Sequence, residues 1–104
     1  MKLVIVRGGG IGGPVTLTEL DSDQLSSADS QALAEQVDRA DLGNVPEPAT
    51  RRRQPDELLY EIVVHNGGER LILRFSEATL PDEIRLLIQW IDGRPERSQS
   101  LAPR

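Results

Sequence analysis

The chain has 104 residues, a formal net charge of −5 and no cysteine. That length makes one domain with a modest core, and the missing thiols exclude disulfides, thiolate zinc sites and cysteine nucleophiles. Three of the 12 basic and eight of the 17 acidic side chains lie in residues 1–50, leaving nine of each in 51–104. The acidity therefore belongs to the first half and argues against nucleic acid or anionic lipid as partners.

Lys2 to Arg7 reads as a first strand around the buried-type run Leu3-Val4-Ile5-Val6. Four apolar residues in a row are too few for a signal-peptide core or a membrane span, so a cytoplasmic protein is expected. Gly8 to Gly13 form a loop, since glycine weakens regular structure and supplies turn conformations. Val15-Thr16-Leu17-Thr18 alternates with period 2, which makes residues 2–20 a hairpin with a wide glycine-rich tip. Asp21, Ser22 and Asp23 offer caps. Residues 26–41 carry Leu33, Val37 and Ala40 at helical spacing, a weakly apolar helix with an alanine-rich face. Residues 43–55 hold three prolines and no periodicity and read as a mobile loop.

The pattern is strongest from residue 57 onward. Tyr60, Ile62 and Val64 alternate up to Asn66-Gly67-Gly68, and Leu71, Leu73 and Phe75 alternate after it, a hairpin closed at Asn-Gly. Pro81 fits a first helical turn, with Asp82 and Glu83 suited to the positive helix end. Ile84, Leu87, Ile88 and Ile91 form one apolar stripe, with Leu86 and Trp90 offset from it. Gly93 ends the helix, and residues 93–104 read as a disordered tail. The expected fold is a small α+β domain over residues 1–92. Its two β-hairpins form a mainly antiparallel sheet of about four strands, with two helices packed on it.

Catalytic chemistry finds little support. Gly8, Gly10 and Gly13 satisfy G-x-G-x-x-G after a strand, but a β pattern follows where a nucleotide site needs a helix. His65 is the only histidine and sits beside a turn, so no triad or metal site is in view. The adjacent pairs Asp56/Glu57 and Asp82/Glu83 point apart on a strand or helix and suit solvated faces better than acid–base work. Arg51-Arg52-Arg53 is a solvated loop run. Trp90 either caps the core edge or anchors a partner.

Several segments, in this order, resemble the emfourin family of small proteinaceous inhibitors of thermolysin-like zinc metallopeptidases, especially the protealysin-like group. They are the opening strand with Arg7-Gly8-Gly9 and the Ile11-Gly12 tip, Leu20-Asp21, the Leu33/Val37 helix and a proline-containing middle. The ending matches best: Tyr60-Glu61, Gly67-Gly68, Leu73, Phe75, Leu80-Pro81 and the helix from Arg85-Leu86-Leu87 to Trp90-Ile91. The resemblance spans about residues 2–92. It implies an α+β fold, no enzymatic activity and a metalloprotease partner; no cofactor is expected.

The glycine loop adds a mechanism. Arg7, Gly8, Gly9, Gly10, Ile11, Gly12 and Gly13 could enter a narrow cleft because glycines remove side-chain bulk. Ile11 would fill an apolar substrate pocket, and Trp90 is the second contact candidate. The chain is expected to be a monomer when free. The competing reading is a non-enzymatic interaction module that pairs through a sheet edge or the Trp90 helix.

Overall fold

The apolar run Leu3–Val6 forms the middle of the central strand, β1 (Lys2–Gly8), in a computed structural model that describes residues 1–8, 15–44 and 58–102. β1 pairs antiparallel on one side with β2 (Val15–Asp21), from Lys2↔Asp21 to Arg7↔Thr16. On its other side it pairs with β3 (Leu59–Asn66), from Lys2↔His65 to Gly8↔Leu59. β4 (Glu69–Ser76) lies outside β3, and β5 (Ser98–Ala102) lies outside β2. The sheet is antiparallel throughout, with strand order β4-β3-β1-β2-β5.

Two helices cover one face. α1 (Ser27–Ala40) starts at Ser26, whose Oγ accepts from the Asp29 amide at 3.2 Å. It ends at Asp41 in the left-handed conformation, φ 51°. α2 (Asp82–Asp92) begins directly after Pro81, so the proline stands one position outside the helix and not in its first turn. Ile84, Leu87, Ile88 and Ile91 are buried, the stripe that the spacing predicts. They join Leu33 of α1 and Leu3, Ile5, Leu20, Ile62, Val64 and Phe75 of the sheet in one core cluster.

The β3–β4 turn forms where Asn-Gly-Gly predicts it. Gly67 has φ 60° and Gly68 has φ 88°, so the two glycines are the central pair between Asn66↔Glu69. Positive φ at both central positions matches the right-handed strand twist. A Cβ at Gly68 would meet nothing within 4 Å, so the penalty of a substitution there is all backbone. Gly68→Ala is expected to destabilise by about 1–2 kcal/mol, measured by urea denaturation.

Two expectations change. Among the described residues the sheet has five strands, not about four, and the fifth forms from residues 98–102 where a disordered tail was expected. Its cause is tertiary: the outer edge of β2 offers unpaired backbone groups that an extended segment satisfies. Gly8 is the last residue of β1, paired with Leu59, and not part of the loop. In β2 the two threonines share one face, as the alternation predicts, and that face looks toward the helices. Thr18 is fully buried there, in step with Leu20.

Of the expected 43–55 loop, Gly43 and Asn44 belong to a 3-10 turn (Leu42–Asn44), and 45–55 lie outside the described residues.

Candidate functional site

Strand parity puts Arg7 on the same face as Leu3 and Ile5, beneath the helices. Its guanidinium cannot stay unpaired there. Nη1 donates to Asp92 Oδ2 at 2.8 Å and Nη2 donates to Asp92 Oδ1 at 2.6 Å, a two-pronged carboxylate clamp. Nη2 also donates to Thr18 Oγ1 at 2.9 Å, and Gln99 Nε2 of β5 reaches the same hydroxyl at 3.4 Å. One side chain thus ties β1 to β2 and to the last residue of α2. The Asp92 hydrogen bond raises the Arg7 pKa above its ordinary value, against the opposing effect of burial.

Asp92 explains itself only through this pair. A carboxylate at the carbonyl end of a helix meets a negative macrodipole and is unfavourable alone. The Arg7 cation reverses that sign. The sequence carried this signal, a carboxylate at the wrong helix end, and it points to a cation nearby.

Gly8 follows at the strand exit. A Cβ there would come within 3.3 Å of Val15 Cγ2, so the glycine allows the close approach of β1 and β2 beside Arg7. Gly9, Gly10, Ile11, Gly12 and Gly13 lie outside the described residues. By register, Gly8, Val15, Leu59 and Ser76 share one end of the sheet. Residues 9–14 therefore depart from and return to the end next to the Arg7 clamp.

Trp90 is half-buried against the core. The Arg94 guanidinium lies over its ring, 5.3 Å from the centroid. Arg94 in turn donates to Asp29 of α1 at 2.7 Å and to Glu96 at 3.1 Å. Trp90 is thus built into a latch that joins α2 to the start of α1. Arg7 and Trp90, far apart in sequence, both converge on the last turn of α2. The Glu96 carboxyl is held below its usual pKa, chiefly by the Arg94 hydrogen bond.

A folded pKa below the unfolded value gives stability that is present above the unfolded pKa and lost as pH falls through the folded one. The Glu96 side-chain carbon should therefore titrate at lower pH than glutamate in an unstructured peptide. In Arg94→Met it should move up toward the ordinary range, since the largest cause of the depression is gone, as NMR titration would read.

Among the described residues, no group of three or more His, Asp or Glu is placed to hold a metal ion. No described helix is long and apolar enough to cross a membrane.

The emfourin family model matches residues 5–92, from the middle of β1 to the end of α2. The chain belongs to the emfourin family. Emfourins are protease inhibitors, so this emfourin's partner is, in general terms, a protease. The match includes Arg7, Thr18 and Asp92, whereas β5 lies beyond it. No curated protein and no solved structure matches the chain.

Proposed function

We propose that this emfourin inhibits a thermolysin-like, protealysin-like zinc metalloprotease by occupying its active-site cleft. It acts as a ligand of the enzyme, not as a catalyst, and works in the cytoplasm. Residues 9–13 enter the cleft from the strand end that Arg7 and Gly8 hold, and Ile11 takes the pocket that such enzymes offer to bulky apolar side chains. The family match over 5–92 carries this reading. The Arg7 clamp supports it, because it fixes the strand from which residues 9–14 depart. A segment fixed at its base loses less conformational entropy on binding than a free one. Arg7 contributes as the anchor of this segment, its guanidinium engaged by Asp92 and Thr18.

The test is titration of the purified chain against a panel of thermolysin-like proteases, one of them protealysin-like, with a fluorogenic peptide substrate. Stoichiometric loss of activity with the chain left uncut is the expected result. Digestion of the chain, or undiminished turnover, would remove the inhibitor reading and leave a binding module with another partner. Ile11→Asp should weaken inhibition by at least about tenfold, since a charge replaces apolar contact in the pocket. Unchanged inhibition in that variant would discard the loop mechanism while keeping the family function.

A further inference from the structure

The two edges of the sheet differ in how they meet solvent. β4 carries Glu69, Arg70 and Arg74 along its length, and charges on an edge strand keep other strands away. β5 reads Ser-Gln-Ser-Leu-Ala, with no charge and no proline. Among the described residues, no strand pairs with its outer side. The helices do not extend over it either: Ser98, Gln99 and Ser100 are exposed, and Leu101 is 71 % exposed, the most exposed large apolar side chain described.

We propose that β5 is a self-association edge, and that two copies pair antiparallel through β5 into one ten-stranded sheet. The occupant that fits is a second copy of the chain, because the strand is complementary to itself. With Ser100 opposite Ser100 of the other copy, Ser98 meets Ala102 and Gln99 meets Leu101. No like charges oppose one another along the five residues. Leu101 then packs across the junction on the helix side, where it otherwise faces water. The two-fold axis stands perpendicular to the sheet, so both helix layers lie on the same side and the contact closes on itself. A junction of five residues per copy is smaller than a standard interface, so the dimer is weak and in fast exchange, with Kd on the order of 100 μM.

Sedimentation velocity on the full chain, from about 10 μM to about 1 mM, brackets that Kd. The weight-average mass should rise from 11.5 kDa toward twice that value across the series. Backbone amide NMR over the same range should show concentration-dependent shifts centred on residues 98–102. Ser100→Lys sets two cations against each other at the axis, and Leu101→Lys adds a charge beside it. Each should weaken association at least tenfold while the thermal midpoint stays unchanged, since both residues are exposed. A constant mass of 11.5 kDa throughout would overturn the proposal. So would a dimer that survives both lysine variants, or shifts centred instead on the helix-free face at Val4, Val6 and Val63.

Discussion

Leu87→Ala should lower stability by about 3 kcal/mol, within the range for a buried leucine truncated to alanine. Leu87 is 0 % exposed and lies in the α2 stripe between Ile84, Ile88 and Ile91. Alanine keeps the helix propensity, so the loss comes from packing. Part is transfer free energy and part is the cavity left between α2 and the sheet. The neighbours cannot close that space easily, because α2 is fixed at its far end by the Arg7–Asp92 pair and across its side by α1. In a domain of this size each kcal/mol moves the melting midpoint by about 4–8 °C, so a drop of roughly 12–24 °C is expected. Leu86→Ala, one residue away but 48 % exposed, should stay within about 0.5 kcal/mol of the parent. Urea denaturation reads both. An equal effect at the two positions would mean that α2 does not bury the face described.

Asp92→Ala should destabilise by about 2 kcal/mol, less than the 3–5 kcal/mol typical when one partner of a fully buried pair is removed. The discount follows from exposure: the Arg7 side chain is 19 % exposed, but that of Asp92 is 37 % exposed, so water reaches the pair. What remains is a cation on the core side of β1 that, among the described residues, has Thr18 alone to satisfy it. Among those residues its Nε already lacks a partner. Asp92→Asn should lose less, since an amide oxygen can still accept from one guanidinium nitrogen. The double exchange Arg7→Asp with Asp92→Arg should recover part of the loss, because arginine suits the carbonyl end of α2. If the single and double variants unfold alike, the pair contributes nothing through its charges. Measured beside protease inhibition, the same series separates anchoring from folding. Asp92→Ala should weaken inhibition at temperatures where the protein remains fully folded, whereas Leu86→Ala should not.

The second hairpin and α2 were legible because each carries its own instruction. Alternation at Tyr60, Ile62 and Val64, glycines at the turn and a full i, i+3, i+4, i+7 stripe each point one way. β5 carried none. Ser98 to Ala102 has no apolar alternation, and it becomes a strand only because β2 presents an unfilled edge. The inward threonines were hard to read for a related reason. The parity of β2 is set by Leu20 and by its register with Ile5, and Val15 and Leu17 follow onto the other face. The clamp was half visible. Arg7 shares the parity of Leu3 and Ile5, so its inward direction was written in the chain. Its partner Asp92 is remote in sequence, and only the return of α2 across the sheet brings it there. Residues 9–13, which matter most to the proposed inhibition, were readable as a glycine-rich connection between two strands and no further.

The central position of β1 has a kinetic consequence. Each hairpin can form from a contiguous piece of chain, but the sheet is whole only when Ile5 finds Ile62 across the β1–β3 seam. That contact closes a long loop before the core repays it, so the seam is where the folding barrier should lie. Truncations at Ile5 or Ile62 should slow refolding, whereas changes at Gln99 in the late-added β5 should mainly speed unfolding. The two limbs of one chevron plot would then distinguish the strand that nucleates the sheet from the strand that finishes it.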